Sequence, residues 1–307
     1  MKEAYTFADL SAWESVTAEE HPPLRLAVIG DPVAHSASPG MHNAALAACG
    51  IEVGYCRLHI HPEELTSALR LLPEKGFLGI NCTIPHKANV LAAVDEADVG
   101  ARRAGGVNTV LVGADNRLRG SSTDGAGFAR AVREQFGIEL SEVRVLVLGA
   151  GGGAGRAVAM ECATRGAKRL SLINRSVEKL QPLEEALAAI YPRELLASAP
   201  WEDDELAQAL EVSDLVVNCS ALGMQPGDAS PIPAPLLARR HLLYDTIYTA
   251  GQTPLMVAGA ISGARSANGL SMLLHQGALA FEIWFQQPAP LEVMRAALVA
   301  HAQTRAR

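Results

Sequence analysis

The chain has 307 residues, of which 49% are hydrophobic and 19% charged, a composition typical of a globular protein. Single hydrophobic cores stop growing near about 250 residues, so this length favours two domains. The formal net charge of -7, without any run of lysines or arginines, argues against nucleic acid or an anionic membrane as a partner.

The N-terminal segment, residues 1–23, is acidic and lacks an apolar core, so no signal peptide is predicted. We expect it to be a poorly ordered extension. The long apolar stretch Leu270–Phe285 carries polar residues along its length, so no membrane helix is predicted.

From Leu24 onward, short apolar strands alternate with helical stretches, which predicts an α/β fold with a largely parallel sheet. The first series predicts strands at 24–30, 53–60 and 76–84 and helices at 38–50 and 62–72. The second series predicts strands at 143–150, 169–175, 214–220 and 242–248, helices at 155–166 and 176–190, a joining helix at 124–137 and C-terminal helices over 269–302.

The second series follows the doubly wound, Rossmann-type pattern that binds nucleotides. We therefore predict two α/β domains behind an N-terminal extension at 1–23. The first domain comprises 24–122, with C-terminal helices 270–307 returning to it, and the second is a Rossmann-type nucleotide-binding domain over 123–269.

A glycine-rich turn lies between a predicted strand and helix of the second series. It fits G-x-G-x-x-A, in which Gly149 permits the tight turn, Gly151 lets backbone approach a pyrophosphate and Ala154 allows close helix packing. Backbone N–H groups at the helix start would bind the pyrophosphate. The predicted dinucleotide contacts are Gly149, Ala150, Gly151, Gly152, Gly153 and Ala154.

The end of the next strand distinguishes NADP from NAD. NAD enzymes place a carboxylate there for the ribose 2′-hydroxyl, whereas this strand ends in Asn174, Arg175 and Ser176, with Lys179 following. A planar guanidinium and further donors suit a 2′-phosphate, so we predict NADP as the cofactor.

Two loops of the first domain follow strands, where open α/β sheets bind ligands. One offers Ser36 and Ser38 before a helix, and these hydroxyls suit a small carboxylate or, alternatively, cap the helix. The other loop, 81–87, ends in Lys87, which the segment alone leaves open as a solvated or a catalytic lysine.

Histidines in the first domain have open roles. His59 and His61 alternate along a strand as metal ligands can, but no third ligand of suitable spacing follows, so no metal is predicted. His35 and His86 adjoin the two loops, and we interpret them as loop polarity rather than as catalytic groups.

Several short motifs occur in one order and together resemble the shikimate/quinate dehydrogenase family, from Leu24 to the C-terminal helices. They are S-x-S-P (36–39), N-x-T-x-P-x-K (81–87), GGVNT (105–109), TDGxG (123–127), the glycine-rich turn, NRS-x-x-K (174–179), NCSALGM (218–224), D-x-x-Y (245–248) and G-x-x-M-L-x-x-Q (269–276).

The resemblance implies NADP-dependent, reversible reduction of 3-dehydroshikimate to shikimate in chorismate and aromatic amino-acid biosynthesis. It implies that Lys87 and Asp124 form the catalytic pair and that Gly269 joins the cofactor contacts. The implied substrate contacts are Ser36, Ser38, Asn81, Thr83, Lys87, Asn108, Asp124, Tyr248 and Gln276. An ammonium beside a carboxylate can supply the proton that ketone reduction needs.

The chain departs from the family pattern at three places. Ser122 precedes the TDG motif where the family commonly has asparagine, and Thr249 stands where proline is frequent. Gly155 occupies the usual arginine position of the glycine turn, which leaves the role of Arg156 open.

Two other functions stay open beside shikimate oxidation and reduction. One is quinate or dual quinate/shikimate dehydrogenation, and Ser38 favours the smaller shikimate ring. The other is a non-catalytic NADP or shikimate sensor, which the presence of Lys87 and Asp124 and the lack of a basic DNA-binding segment disfavour. A homodimer is left open, and five scattered cysteines predict a cytoplasmic location.

Overall fold

The computed structural model describes residues 2–225, 227–249 and 251–305. Their contacts divide the chain into two compact units, which we call unit 1 (1–123 with 276–304) and unit 2 (chiefly 124–275). Each unit contains its own sheet and its own buried apolar core. Two α/β units of this kind confirm the predicted fold class.

Unit 1 is built on a mixed sheet with the strand order β1-β3-β2-β4-β6-β7-β5. Its strands are β1 Tyr5–Thr6, β2 Leu24–Gly30, β3 Gly54–His59, β4 Gly79–Cys82, β5 Glu96–Ala97, β6 Thr109–Val112 and β7 Leu118–Ser121. Strands β1 to β4 run parallel, whereas β6 is antiparallel to both of its neighbours. The helices before unit 2 are α1 Phe7–Ser11, α2 Trp13–Val16, α3 Ser38–Ala48, α4 Leu65–Glu74, α5 Lys87–Ala93 and α6 Val99–Ala104.

The N-terminal segment is part of this core, so the expectation of a poorly ordered extension was wrong. Strand β1 adds a parallel edge to β3, and Tyr5, Leu10 and Trp13 are buried. The Trp13 ring lies 5.1 Å from the rings of both Tyr5 and Phe77. Three large apolar side chains are sufficient to pack this short acidic segment. Their spacing matches neither a helix nor a strand, so the sequence pattern did not indicate the packing.

Unit 2 carries an entirely parallel sheet with the order β10-β9-β8-β11-β12-β13. Its strands are β8 Arg144–Leu148, β9 Arg169–Asn174, β10 Leu196–Pro200, β11 Leu215–Asn218, β12 Leu242–Asp245 and β13 Arg265–Ala267. The strands carry apolar side chains on both faces of the sheet, because each face packs in its own cluster of buried side chains. Counted from β8, this is the 3-2-1-4-5-6 order of a doubly wound nucleotide-binding sheet.

The helices of unit 2 are α7 Asp124–Phe136, α8 Gly153–Thr164, α9 Gln181–Ala188, α10 Asp203–Glu211 and α11 Pro254–Ser262. Helix α12 (Leu270–Phe285) runs from unit 2 into unit 1, and α13 (Leu291–Arg305) follows. The indole of Trp284 in α12 donates to the Val110 carbonyl oxygen at 2.9 Å, which anchors the helix on β6. No helix in the described part of the chain is long and apolar enough to cross a bilayer.

Candidate active site

The serine loop, residues 31–38, connects β2 to α3 at the carboxyl edge of the unit 1 sheet. Ser38 is the first residue of α3 and is buried, and its N–H donates to the Ser36 Oγ at 3.3 Å. Arg57 on β3 donates to the Ser36 carbonyl oxygen at 2.7 Å. Ser38 does not cap the helix, because Ala37 holds the cap position without a side-chain bond. The capping alternative for Ser38 is therefore wrong.

Asn81, on β4, is buried and held at both ends of its amide. The Tyr55 hydroxyl donates to Asn81 Oδ1 at 2.8 Å, and Asn81 Nδ2 donates to Thr109 Oγ1 at 3.1 Å. The Ser38 hydroxyl lies beside the same Tyr55 hydroxyl, whose pKa is raised well above its ordinary value by burial. These contacts place Ser38 and Asn81 in one polar cluster around Tyr55.

Asn108 extends the cluster toward α12. Asn108 Nδ2 donates to Thr123 Oγ1 at 2.8 Å and to Gln276 Oε1 at 3.3 Å, while the Thr123 N–H donates to Asn108 Oδ1 at 2.7 Å. All three side chains are buried. The structure thus brings Asn81, Asn108 and Gln276, which the resemblance marked separately, into one hydrogen-bonded network.

Sequence reasoning assigned no role to Tyr55, Thr109 or Thr123 in this network. Thr109 ends the GGVNT motif and Thr123 begins the TDGxG motif, so their positions in these motifs could have indicated a role. Tyr55 gave none, since an aromatic residue in an apolar strand normally indicates core packing alone.

Lys87 begins α5 directly after the loop that leaves β4. Its carbonyl oxygen accepts from the Val107 N–H at 2.9 Å, and a Cβ on Gly106 would lie 3.2 Å from the Lys87 Cβ. The Lys87 backbone is therefore fixed against the GGVNT segment, and its side chain is half-buried. A lysine restrained in this way differs from an ordinary solvated loop lysine.

The neighbours of Lys87 in this loop are held by close contacts. His86 is fully buried, and its Nε2 lies 2.8 Å from the Ile60 carbonyl oxygen, so it braces the loop against β3. Thr83 is half-buried and packs closely over Gly30, where an added Cβ would lie 2.5 Å from the Thr83 Cγ2. Burial raises the pKa of the Cys82 thiol to about 12, so this thiol stays protonated and unreactive near neutral pH.

Asp124 is the first residue of α7 and is 8% exposed. The next residue, Gly125, lets α7 approach α8, because a Cβ there would lie 3.0 Å from the Ala157 carbonyl oxygen. The start of α7 is thereby fixed against the helix that follows the glycine turn. Lys87 belongs to unit 1 and Asp124 to unit 2.

The glycine turn follows β8 and leads into α8. Gly149 has a φ of +73°, which favours glycine, and its N–H donates to the Ile173 carbonyl oxygen at 2.8 Å. The close helix packing expected at Ala154 occurs one residue later, since a Cβ on Gly155 would lie 2.3 Å from the Gly149 carbonyl oxygen. The extra residue in this turn makes Gly155 a close-packing position, and the role given to Ala154 stays a prediction.

The end of β9 adjoins the glycine turn. The Gly151 N–H donates to Asn174 Oδ1 at 3.2 Å, and Asn174 Nδ2 donates to the Ser176 carbonyl oxygen at 2.8 Å. Arg175 and Lys179 are exposed, and among the described residues neither forms an ion pair. Two unpaired cations beside a turn rich in backbone N–H groups favour an anionic ligand.

Two residues implied by the resemblance, Tyr248 and Gly269, follow the last two strands of the unit 2 sheet, β12 and β13. The Asn218 amide donates to Asp245 Oδ1 at 3.0 Å and ties the ends of β11 and β12 together. Gly269 allows a close backbone approach, because a Cβ there would lie 2.1 Å from the Thr246 carbonyl oxygen. Tyr248 is 43% exposed. Arg156, which the sequence left open, is half-buried on the first turn of α8, and burial lowers its pKa.

Comparison with known proteins places this arrangement in one family. Residues 28–110 match the shikimate dehydrogenase substrate binding domain, and residues 269–299 match the shikimate 5′-dehydrogenase C-terminal domain. A shikimate dehydrogenase (NADP(+)) from Symbiobacterium thermophilum is 41% identical over 277 residues, covering 90% of this chain and 93% of that protein.

Solved structures give the same result. Shikimate 5-dehydrogenase from Thermus thermophilus, crystallised with NADP(H) and shikimate, is 35% identical with a TM-score of 0.80 and covers 91% of this chain and 99% of its own. A shikimate dehydrogenase in complex with NADP+ is 32% identical with a TM-score of 0.85, covering 91% and 96%. The chain belongs to the shikimate dehydrogenase family.

Proposed function

We propose that this enzyme catalyses the reversible, NADP-dependent reduction of 3-dehydroshikimate to shikimate. The observation that carries the proposal is the buried network of Asn81, Asn108 and Gln276, which lies in the same unit as the serine loop and Lys87. Fixed amides suit the hydroxyls of a small polyol ring, and two serines at a helix start suit its carboxylate.

Lys87 is the proposed acid–base group. In the reducing direction its ammonium gives a proton to the carbonyl oxygen, while the carbonyl carbon accepts a hydride. Bound NADPH supplies that hydride. In the oxidising direction Lys87 takes the hydroxyl proton back. Asp124 is the proposed carboxylate partner of Lys87 in this proton transfer, and the two residues act together.

The carboxylate anchor comes from the serine loop. Arg57 donates to the Ser36 carbonyl oxygen, and the Ser38 N–H donates to the Ser36 Oγ. These bonds fix the short segment that carries the Ser36 and Ser38 hydroxyls. Thr83 and Tyr248 complete the proposed substrate contacts. Fixing the ring by several weak bonds holds its reacting carbon in position for hydride transfer.

The preference for NADP rests on the end of β9. Arg175 and Lys179 are exposed cations without a carboxylate at the strand end, and Asn174 ties that strand end to the Gly151 N–H. A 2′-phosphate would receive a planar, charge-assisted contact from Arg175 and further donors from Ser176 and Lys179. The glycine turn would accept the pyrophosphate, and Gly269 would be a further cofactor contact.

A cytoplasmic location is also proposed. All five cysteines are free thiols, and three of them are fully inside the apolar cores, as expected for a protein that folds under reducing conditions. Whether the enzyme forms a homodimer stays a prediction, to be measured by light scattering of the purified protein.

One assay tests the function. The purified enzyme is given shikimate or quinate, each with NADP+ or NAD+, and the absorbance of the reduced nicotinamide is followed. We expect shikimate with NADP+ to give the highest kcat/KM of the four combinations. Faster turnover of quinate would replace shikimate by quinate as the substrate, and no turnover of either would favour a binding protein.

A further inference from the structure

A cluster of two histidines and one aspartate lies at the carboxyl ends of β2 and β3. Asp31 is the residue after β2, and Gly30 pairs with His59 across the parallel strands. His59 Nε2 lies 2.8 Å from Asp31 Oδ1, and His61 Nδ1 lies 3.1 Å from Asp31 Oδ2. The third ligand that the sequence spacing did not offer is therefore supplied by the neighbouring strand.

We infer that Asp31, His59 and His61 form a binding site for one divalent transition-metal ion, for which Zn²⁺ is the best match. Two imidazoles and one carboxylate are a frequent zinc ligand set, with water in the remaining position. The three ligand atoms already lie within 4.8 Å of one another. A tetrahedral zinc ion needs its ligand atoms about 3.4 Å apart, so a small rotation of the side chains completes the geometry.

The exposure and the charge of this cluster suit a divalent ion. The His59, His61 and Asp31 side chains are 36%, 53% and 26% exposed, so they can rotate and a hydrated ion can enter from solvent. The Asp31 carboxylate lies between the two imidazoles and supplies negative charge to offset that of a divalent ion. The Glu64 carboxylate accepts from the His61 N–H at 3.0 Å and adds negative charge nearby.

A bound ion would connect β3 to the first residue of the serine loop. Because Asp31 begins the segment that carries Ser36 and Ser38, the ion would restrain this segment at its entrance. This consequence rests on the proposed role of the serines in binding carboxylate, whereas metal binding itself does not.

Calorimetry on the metal-free enzyme tests the site independently of catalysis. Tag-free protein is dialysed against a chelator, and Zn²⁺ is titrated at pH 7.5, with Co²⁺ absorption as a second readout. We expect one Zn²⁺ per chain, and His59→Gln and His61→Gln should each weaken binding by about tenfold or more. Zn²⁺ should raise the melting temperature of the wild type but not that of His61→Gln.

Two control variants remove ligand groups elsewhere on the surface. His21 and Cys49 are both exposed, and His21→Gln and Cys49→Ser should leave the zinc affinity unchanged. The inference is overturned if the wild type binds no Zn²⁺, or if His59→Gln and His61→Gln bind it as tightly as the wild type. In either case the cluster is a hydrogen-bonded trio only, and the dehydrogenase assay above would be unaffected.

Discussion

The Asn81 amide has a defined orientation because donors and acceptors surround it. The Tyr55 hydroxyl fixes its oxygen, and Thr109 and the Asn108 carbonyl oxygen accept from its nitrogen. A buried amide with both ends satisfied does not flip, since flipping would leave buried polar atoms unpaired. A ligand hydroxyl that approaches this side chain therefore meets a preorganised surface.

Arg175 provides a test of cofactor choice at a single residue. Arg175→Ala should weaken the binding of NADP+ by about 1–3 kcal/mol, which appears as a raised KM for NADP+. The KM for NAD+ should stay nearly unchanged, because only NADP+ carries the 2′-phosphate. Arg193→Ala, at another exposed position of unit 2, is the matched control. Steady-state kinetics with both cofactors measures the difference, and equal losses with NADP+ and NAD+ would show that Arg175 does not contact the phosphate.

Individual site residues were predictable where a motif marked them, but their partners were not. Asn81 and Asn108 stand in quoted motifs, whereas Tyr55 reaches Asn81 only because β3, β2 and β4 are neighbours in the sheet. Asp31 reaches His59 and His61 for the same reason. Contacts between strands depend on strand order and register, and one sequence does not contain that information locally.

At the scale of elements, the glycine turn and α8 depend on a close approach of backbone. Gly155→Ala should destabilise unit 2 by about 1–3 kcal/mol, because its Cβ would lie 2.3 Å from the Gly149 carbonyl oxygen and the backbone must shift. The melting temperature of the purified variant measures this loss.

Gly153→Ala is the control in the same helix, since a Cβ at Gly153 meets nothing within 4 Å. It should leave the melting temperature unchanged or raise it slightly, as alanine favours helix over glycine. Equal melting temperatures for Gly155→Ala and the wild type would show that the turn accommodates a side chain, and the packing role of Gly155 would be withdrawn.

The amino ends of β8 and β11 are joined by an ion pair. Arg144 donates from Nε and Nη2 to the Asp214 carboxylate at 2.9 and 2.6 Å, and its backbone N–H donates to the same group at 2.9 Å. The Arg144 guanidinium lowers the pKa of the Asp214 carboxyl. Both side chains are partly exposed, so solvent screening limits the pair to about 1 kcal/mol.

A depressed carboxyl pKa gives this pair a definite pH dependence. Its stabilisation is present above the unfolded pKa of aspartate, about 3.9, and is lost as the pH falls through the lower folded value. Asp214→Asn should therefore lower the melting temperature at pH 7, and its difference from the wild type should shrink below pH 4. Asp204→Asn, at an exposed position of α10 that forms no ion pair in the described part of the chain, should have a smaller effect at both pH values. A difference that grows on acidification would contradict the assignment.

Elements with a strong pattern were predictable and weak ones were not. The parallel strands β2, β8 and β9 are largely apolar, and the sequence indicates each of them. Strands β1 and β5 have only two residues, and the antiparallel hairpin β6–β7 has short strands without a long apolar run. Such strands exist because the sheet beside them offers hydrogen-bonding partners, which is a tertiary effect.

At the scale of the whole molecule, the two residues proposed for catalysis belong to different compact units. Lys87 begins α5 in unit 1, and Asp124 begins α7 in unit 2, next to the helix of the glycine turn. The proposed acid–base chemistry therefore draws one residue from each unit.

Kinetics of Lys87→Ala, Asp124→Asn and the double variant test this central claim most directly. Lys87→Ala should lower kcat for shikimate oxidation by about 10²–10⁴, with a smaller change in KM, because a proton-transfer group acts mainly in the transition state. The double variant should lose less than the product of the two single losses, since both residues serve one step. Lys168→Ala, at an exposed lysine of unit 2, should keep normal kinetics. A near-normal kcat with a raised KM in Lys87→Ala would make Lys87 a binding residue and contradict the account.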